Sequence, residues 1–409
     1  MKPKILMAAY TDYSRDPRVK REAEALVAEG YPVVFFASRD PDEPRHETIA
    51  GVEVVQILRL VRSRMSMSAY LLNYGYFFLV LSLHLMIHPF RYGLIHINNM
   101  PDFLVLAAWL PRLLGKPVIH DIHDLMPELF TEKYGLAENH WFVRLLRVQE
   151  RWAASMASAV LTVEERLRDI LDARGIRRKK TRVLLNLPDE RIFAPREPLA
   201  PKPAGAPFVM AYHGTLARRL GLDIALRAVA RVGDRIPNLE LRIIGGGEER
   251  DRLVRLRAEL GLEDRVTFSE GRVPVEKIPE RLHDVDVGIV PTRLSSGTDI
   301  MLPTKLLEYV AIGIPCIVPP TGTIRRYFDE KMVRFFEAEN VDALAEAMVE
   351  LYENPGMRDS LAEEATRRFG SIYRWSRHKD IYVELVERLL NGGDAAEASS
   401  VRADRPMPK

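Results

Sequence analysis

The chain has 409 residues, 47% of them hydrophobic and 28% charged, and its formal net charge is +2. A single hydrophobic core rarely serves so long a chain, so we expect two α/β domains, and the weak net charge does not indicate a nucleic-acid partner. Cys316 is the only cysteine, which excludes an intramolecular disulfide and a cysteine-rich metal site and is typical of a cytoplasmic protein. The N-terminal residues lack the apolar stretch of a signal peptide, so export is not expected.

In chain order, the first half alternates short apolar segments with amphipathic helical patterns. The predicted strands are residues 4–10, 32–38, 53–58, 93–98, 117–121, 159–164 and 182–186. Strands that are apolar along their whole length are typical of a parallel sheet covered by helices on both faces. The pattern therefore predicts a doubly wound domain over residues 1–195.

A stretch rich in Pro and Ala follows at residues 196–206, and because it has no hydrophobic period we expect a linker there. A second series of strands is predicted at residues 208–214, 239–247, 265–271, 286–291, 314–319 and 333–336. This series predicts a second doubly wound domain over residues 207–370, followed by a helix over 371–392 that returns towards the first domain. Residues 393–409 are expected to form a disordered tail.

Residues 69–90 are dense in Leu, Phe and Tyr and approach the length of a membrane span. Polar or helix-weakening residues argue against a true span, and they are Asn73, Gly75, His84 and His88. Two interpretations stay open, a buried core helix or a helix that enters the membrane surface with help from the basic residues before it. Those basic residues are Arg59, Arg62 and Arg64.

One helix of the second half has the features of an anion site. Ligands of parallel sheets bind beyond the carboxyl ends of the strands, where helix N-termini converge. Pro303 and Thr304 predict a helix start whose free N–H groups and positive dipole end suit a diphosphate. Glu308 follows one turn later and is placed to accept hydrogen bonds from the two hydroxyls of a ribose. Gly313 predicts the end of the helix.

Eight segments, each at a predicted strand end or helix start, occur in the order and spacing of one known family. They are DPRVKREAEALVAEGYPV, HDIHDLMPELF, LLNLPDERIF, HGTLARRLGLD, RIIGGGEERDRL, RVTFSEGRVP, DVDVGIVP and LPTKLLEYVAIGIPCIV. Over nearly its whole length the chain resembles glycosyltransferase family 4, the retaining group 1 glycosyltransferases of the GT-B fold. The resemblance implies an α/β protein with two Rossmann-like domains that face a cleft, the second of which binds a nucleotide sugar.

The resemblance also implies roles for residues of the second domain. Glu308 would bind the donor ribose, and the N–H groups at the start of its helix would meet the diphosphate. These N–H groups belong to Thr304, Lys305 and Leu306. Arg219, or Arg218 as the alternative, would neutralise the departing diphosphate without a metal ion, unless it merely lies in a solvated turn. The other donor-side positions, glycines for close backbone approach and two residues at the nucleobase, are Gly214, Gly245, Gly247, Arg272 and Val273.

In the first domain the resemblance places a histidine near the sugar and acceptor, and His123 occupies that position after a predicted strand. His120 is the alternative, but by strand alternation it belongs to the strand itself and is expected to be packed. Asp124 and Glu128 are expected either to orient His123 or bind the acceptor, or to cap the helix that follows. Further acceptor-side positions are Asp16, Arg18, Asn98 and Asn99. Asp16 is also predicted to be the N-cap of a helix.

Two departures from the family pattern affect this assignment. The commoner pattern has another glutamate two turns before Glu308, and Ile300 stands there in this chain, with Asp299 next to it as the candidate for the sugar hydroxyls. The frequent Arg and Lys of the diphosphate loop are replaced by Thr215 and Leu220. We interpret both as variation within an active family.

The predicted function is retaining transfer of a sugar from a nucleotide sugar to a glycan or polyprenyl-linked acceptor, in cell-surface polysaccharide or glycolipid synthesis. No metal or cofactor is expected. The protein is expected in the cytoplasm, with peripheral contact at the inner membrane face through residues 59–90. The alternatives are a nucleotide-sugar epimerase of the same fold and a non-catalytic sugar-nucleotide-binding protein.

Overall fold

The structure is a computed structural model that describes residues 2–40, 42–60, 67–197, 202–203 and 205–395. These residues divide into two compact units, one of residues 2–186 with 376–395 and one of residues 187–375. The first unit ends before the boundary predicted at residue 195, because the chain leaves the first sheet after Val183. Parts of the predicted linker and tail lie outside the described residues, namely 198–201, 204 and 396–409.

The first unit is built on one twisted sheet. Its strands are β1 (Ile5–Ala8), β2 (Val33–Arg39), β3 (His46–Ile49), β4 (Val52–Leu58), β5 (Leu94–Asn98), β6 (Val118–Ile122), β7 (Ala159–Thr162) and β8 (Thr181–Val183). They lie in the order β3-β4-β2-β1-β5-β6-β7-β8, and neighbours are parallel except for the antiparallel pair of β3 and β4. The central strands β1, β5 and β6 are buried on both faces, as their continuous apolar sequences require.

The second unit contains a fully parallel sheet. Its strands are β9 (Phe208–His213), β10 (Leu239–Ile244), β11 (Val266–Phe268), β12 (Val287–Ile289), β13 (Cys316–Val318) and β14 (Arg334–Phe335). The order β11-β10-β9-β12-β13-β14 changes direction at β9, which is where parallel sheets bind ligands. Both predicted series of strands are thereby confirmed.

Helices connect most successive strands in both units, except that β2, β3 and β4 follow one another without a helix. They are α1 (Pro17–Ala28), α2 (Met67–Ile87), α3 (Trp109–Leu113), α4 (Met126–Tyr134), α5 (Trp141–Met156), α6 (Glu165–Ala173), α7 (Leu222–Val232), α8 (Arg250–Glu259), α9 (Ile278–Leu282), α10 (Ser296–Asp299), α11 (Thr304–Ile312), α12 (Gly322–Tyr327), α13 (Val341–Glu353), α14 (Pro355–Ala365) and α15 (Trp375–Leu390). The core of the second unit joins α7 and α13 to β9 and β10 through aliphatic side chains.

Strand β3 was not predicted from the sequence. It forms the edge of the first sheet and pairs only with β4, so His46 and Thr48 are exposed rather than buried. The segment contains no apolar run. It forms a strand because it pairs with β4, not because its own residues strongly favour a strand.

Helix α2 is long and apolar enough to cross a membrane by length and composition, with a mean hydropathy of 1.5 over Ala69–Ile87. One side packs into the core of the first unit through Phe77, Leu81 and Leu85. The interpretation as a core helix therefore explains only that side, because the opposite side is exposed. Of the basic residues before it, Arg62 and Arg64 lie outside the described residues, and Arg59 donates to Asp40 at 2.9 Å.

Helix α15 belongs to the first unit from Ser376 onwards, although residues 187–375, which directly precede Ser376, belong to the second unit. Tyr382, fully buried on this helix, hydrogen-bonds His96 of β5 through its hydroxyl at 2.7 Å. The C-terminal helix thus completes the packing of the first sheet.

Candidate functional site

Two glycine loops follow β9 and β10, and their backbones touch. The backbone φ angles of Gly214 and Gly245 are +116° and +151°, values that residues other than glycine rarely adopt. A Cβ atom on Gly245 would lie 1.9 Å from the carbonyl oxygen of Gly214, and one on Gly247 would lie 2.2 Å from that of Leu216. Gly245 and Gly247 therefore require glycine for loop packing itself and Gly214 for its backbone conformation, whatever ligand the loops bind.

The N-terminus of α11 presents free backbone donors. The helix begins at Thr304 after Pro303 and ends at Gly313, as predicted. Among the described residues, none accepts a hydrogen bond from the N–H of Thr304 or Lys305. The N–H of Leu306 donates to the carbonyl of Pro303 at 3.0 Å, because the first turn is tight. The Leu306 amide thus has an acceptor within its own turn, and its contact with a diphosphate stays a prediction.

Glu308 is held by a histidine at the end of β9. Its Oε2 accepts a hydrogen bond from Nε2 of His213, and the His213 ring is almost fully buried. The helix itself is fixed to the sheet by Tyr309, whose hydroxyl donates to the carbonyl of Ala211 at 2.8 Å. Glu308 is thus orientated from one side and keeps its other oxygen for a further donor. Sequence reasoning missed His213, although a polar residue ending a buried strand was the available signal.

The side chain of Lys305 lies against the first glycine loop. A Cβ atom on Gly214 would be 3.3 Å from its Cε and 3.7 Å from its Nζ, and Nζ lies 5.0 Å from the ring centroid of Tyr212. Burial lowers the pKa of Lys305 to about 8, while Glu308 acts to raise it and Arg219 to lower it further. Within the described part of the chain the ammonium has no hydrogen-bond acceptor, so a buried cation stands beside the first glycine loop. The sequence predicted a role for the backbone of Lys305 but not for its side chain.

Arg218 and Arg219 lie on a single 3-10 turn between β9 and α7. Arg218 is exposed, and its carbonyl accepts a hydrogen bond from Nε of Arg293 at 3.2 Å. Arg219 is half-buried, and its Nε is buried with no hydrogen-bond partner in the described residues. The charge of Arg219 also lowers the pKa of Lys305, so the structure brings Arg219 rather than Arg218 to this group.

The remaining donor-side candidates are Arg272, Val273 and Asp299. Arg272 is exposed, and its backbone N lies 3.3 Å from a Cβ built on Gly246, so Arg272 and Val273 border the second glycine loop. Asp299 accepts a hydrogen bond from the N–H of Gly322 at 2.6 Å, at the start of α12. One oxygen of Asp299 is therefore engaged in a helix contact.

In the first unit, Asp16 caps α1 as predicted. Its Oδ1 accepts from the N–H of Arg18 at 3.3 Å, and its Oδ2 lies 3.5 Å from the Arg18 guanidinium. The Nε atom of Arg18 is buried without a described partner. Burial raises the pKa of nearby Asp121 to about 6, although the charge of Arg18 acts in the opposite direction. Arg18 is thus the positively charged neighbour of Asp16 and of the buried Asp121 at the end of β6.

His123 follows β6 directly. Its Nδ1 lies 4.0 Å from Oδ2 of Asp121 and has no hydrogen-bond partner in the described residues. Burial lowers the pKa of His123 well below its usual value, and the charge of Arg18 adds to this effect. The imidazole is therefore neutral at pH 7 and acts as a hydrogen-bonding group rather than as a cation. His120 is fully buried in the strand, as predicted.

Two asparagines end β5 and behave differently. Asn99 is a structural bridge, because its Nδ2 donates to Asp102 at 2.9 Å and to the carbonyl of Asp124 at 2.7 Å. Its Oδ1 also accepts the N–H of His123 at 3.2 Å, which positions the histidine. Asn98 is fully buried, and within the described residues neither amide atom has a partner.

The N-cap position of α4 is Leu125, which makes no side-chain hydrogen bond, rather than Asp124, and Glu128 lies in the first turn of the helix. Asp124 is exposed, whereas Glu128 binds Arg174, which also contacts Glu150 at 2.9 Å. Glu128 is thereby tied into an ion-pair network of the first unit.

A buried group of titratable side chains lies behind His123. Atoms of Glu22, His96 and Asp121 lie within 4.8 Å of one another, close enough to hold a metal ion. Burial and Asp121 raise the pKa of Glu22 well above its usual value, while Arg18 acts to lower it. Burial thus disfavours the charged form of this carboxyl, and the expectation of no metal stays a prediction.

Comparison with known families accounts for both units. The family model "Glycosyl transferases group 1" matches residues 197–368. The family model "Glycosyl transferase 4-like domain" matches residues 16–186. The two matches follow the two structural units and together leave only short segments at the ends and between them.

Curated relatives match over part of their length. The chain is 29% identical over 163 residues to the GDP-mannose-dependent alpha-(1-6)-phosphatidylinositol monomannoside mannosyltransferase of Mycolicibacterium smegmatis, a match that covers 39% of this chain and 42% of that protein. It is 30% identical over 207 residues to the 2-deoxystreptamine glucosyltransferase of Streptomyces kanamyceticus, covering 48% and 52%. These matches thus span about half of each relative.

Solved structures show the same fold over the full chain. Sucrose-phosphate synthase from Thermosynechococcus elongatus has a TM-score of 0.78 at 20% identity and covers 96% of this chain and 100% of that chain. HepE of Anabaena in complex with UDP has a TM-score of 0.66 at 15% identity, covering 94% and 99%. The two parallel-sheet units, the two family models and the named relatives agree. The chain therefore belongs to the group 1 glycosyltransferases of the GT-B fold.

Proposed function

We propose that the chain transfers a sugar from a nucleoside diphosphate sugar, bound by the second unit, to a hydroxyl group of an acceptor. The observation that carries the proposal is the concentration of unpaired donors at the start of α11. Two free amides, the buried ammonium of Lys305 and the guanidinium of Arg219 are there to meet a diphosphate. Glu308, orientated by His213, accepts hydrogen bonds from the ribose hydroxyls.

In the proposed reaction the bond between the sugar C1 and the diphosphate oxygen breaks first, and its electron pair stays on the diphosphate. Lys305, Arg219 and the α11 amides stabilise that charge. The acceptor oxygen then attacks C1 on the same face and gives its proton to the departing phosphate oxygen, so configuration is retained. Neutral His123 binds a hydroxyl of the sugar or acceptor as an uncharged hydrogen-bonding group.

The named relatives provide starting points for identifying the base and the sugar of the donor. One relative is named for GDP-mannose and another as a glucosyltransferase, and HepE was solved with UDP. We therefore propose GDP-mannose and UDP-glucose as the first donors to test. Arg272 and Val273, beside the second glycine loop, are the proposed contacts to the base.

We further propose a lipid-linked glycan acceptor at the inner face of the membrane, as part of cell-surface polysaccharide or glycolipid synthesis. The exposed apolar side of α2 supports this proposal, because such a side is stable at a lipid surface. The mannosyltransferase relative is named for a phosphatidylinositol mannoside substrate, which agrees with a lipid acceptor.

The first experiment is a thermal-shift screen of nucleoside diphosphate sugars, since a ligand at about one hundred times its Kd stabilises a fold by about 2.7 kcal/mol. The stabilising donor is then incubated with polyprenyl-linked acceptors, and nucleotide release and product anomeric configuration are measured. Retained configuration is expected, and an inverted product would refute the mechanism. An epimer formed without nucleotide release would identify an epimerase, and stabilisation without turnover on any acceptor a binding protein.

A further inference from the structure

Three of the four tryptophans of the chain are exposed on one layer of helices in the first unit. Trp109 on α3 exposes 43% of its surface, and Trp141 and Trp152 on α5 expose 68% and 69%. Trp375, in contrast, exposes 8%. Folded proteins seldom leave this large side chain in water, and tryptophan is favoured where one surface is apolar and the next is wet. The distribution indicates a surface that is covered when the protein works.

Helix α5 has apolar residues on two opposite sides. Trp141, Leu145, Val148 and Trp152 recur at helical spacing and are all exposed, so they form one outward stripe. The inward side is buried, with Val143, Leu146, Ala153 and Ala154. A helix that faced only water on its outer side would carry mainly polar residues there, whereas α5 carries four large apolar side chains on that side.

The stripe on α5 and the exposed side of α2 belong to helices that pack on the same segment of the first unit. Both helices pack on the 3-10 segment Asp102–Ala108, and α3 follows that segment directly and contacts α2. The outward apolar residues of α2 are Leu71, Leu72, Leu79, Leu83, Met86 and Ile87. We call these residues, together with Trp109, Leu113 and the α5 stripe, the outer helix surface.

The charges that α5 itself exposes are all basic. Arg144 and Arg151 are exposed beside the stripe, and Arg147 lies 4.0 Å from Glu138. The acidic residue of α5, Glu150, is buried and paired with Arg174, so it does not oppose the cations at the surface. Between Met67 and Ile87, α2 carries no Asp, Glu, Lys or Arg. Apolar residues flanked by arginines match an anionic bilayer, where the rings enter the interface and the guanidinium groups meet the phosphates.

We propose that the outer helix surface binds an anionic lipid membrane, with Trp141 and Trp152 inserted between headgroups and acyl chains. The inference deepens the membrane contact proposed for residues 59–90 and rests on that proposed function for its purpose, which is to bring the enzyme to a lipid-linked acceptor. A second copy of the chain fits less well, because a two-fold contact of this surface would bring Arg144 and Arg151 against the same cations of the partner.

The tryptophans themselves allow a label-free test. The full chain is mixed with vesicles of phosphatidylglycerol and phosphatidylcholine whose acyl chains carry bromine, which quenches tryptophan fluorescence on contact. We expect a blue shift and loss of more than half of the emission, because three of four tryptophans contact the lipid while Trp375 does not. A variant with Phe at positions 109, 141 and 152 should show no quenching. Unchanged emission of the wild type at every vesicle concentration would overturn the proposal.

Matched variants separate the stripe from general apolar exposure. The double substitution Trp141→Ala with Trp152→Ala should lower vesicle binding, measured by co-sedimentation, at least tenfold, whereas Leu294→Ala, at an exposed residue of the second unit, should not change it. The pair Arg144→Gln and Arg151→Gln should weaken binding to phosphatidylglycerol vesicles and remove its salt dependence. Binding that survives the tryptophan substitutions would overturn the proposal, and so would a dimer in light scattering that they abolish.

Activity on a water-soluble acceptor, measured without vesicles, separates this inference from the proposed function. The tryptophan variants should release nucleotide at the wild-type rate there. If the wild type turns over no donor, the proposed function fails while the quenching result still decides the membrane inference.

Discussion

The ammonium of Lys305 leads to a pH dependence of donor binding that can be measured directly. Burial lowers the pKa of Lys305 to about 8, and a bound diphosphate raises it again, so binding takes up a proton. The free protein should hold this proton in about nine molecules of ten at pH 7 and in about one of ten at pH 9. If the diphosphate binds only the protonated form, its affinity falls about tenfold between these values, which is about 1.4 kcal/mol.

The assay is isothermal titration of UDP and GDP at pH 7 and pH 9, in two buffers that differ in their heat of ionisation. Lys305→Met should weaken binding about tenfold to a hundredfold, because a charge-assisted contact is lost, and should remove the tenfold pH effect. Its melting temperature should not fall, since an apolar side chain replaces a buried cation against Tyr212.

Lys305→Arg is the matched control. Arginine stays charged throughout this range, so its affinity, whatever its value, should not change between pH 7 and pH 9 beyond the titration of the base. The base titrates identically in every variant and therefore cancels in the comparison. Equal wild-type affinity at the two pH values, or the same pH effect in Lys305→Met, would refute a role for the ammonium in binding the diphosphate.

Three further outcomes are expected. Glu308→Ala should weaken nucleotide binding in calorimetry about tenfold to a hundredfold through lost ribose contacts, and unchanged affinity would contradict that assignment. Gly245→Ala should lower the melting temperature, because its Cβ would lie 1.9 Å from the Gly214 carbonyl, whereas Gly271→Ala, with no atom within 4 Å of the added Cβ, should not. His123→Ala should reduce turnover about a hundredfold or more while nucleotide affinity persists, and a parallel loss of affinity would speak against an acceptor-side role.

Most strands of both sheets were predictable because each contains a short apolar or alternating segment between helical patterns. The start of α11 at Thr304 and the N-cap role of Asp16 were predictable for the same local reason, since proline and aspartate act within one turn of chain. Strand β3 was not, because an exposed edge strand has no apolar pattern and exists only through its pairing with β4.

The candidate site was predictable where a residue acts through its place on one element. Glu308 is one turn into α11 and Arg219 lies in the loop between β9 and α7, so both follow from sequence position alone. The pairing of Glu308 with His213 joins residues 95 positions apart, and neither side chain indicates the other. The hydrogen bond from the Leu306 N–H to the Pro303 carbonyl depends on the geometry of a single turn, which the composition of the chain does not predict.

By itself the sequence determined the α/β class, two tandem sheets, and the strand ends where a nucleotide could bind, because these depend on hydrophobic periodicity and local turn chemistry. Only the tertiary structure decided that Lys305 turns its ammonium towards Gly214, that Asn99 holds His123, and that α5 presents tryptophans outward. Such relations are set by which elements pack together and by the space left between them, and that packing involves residues far apart in the chain.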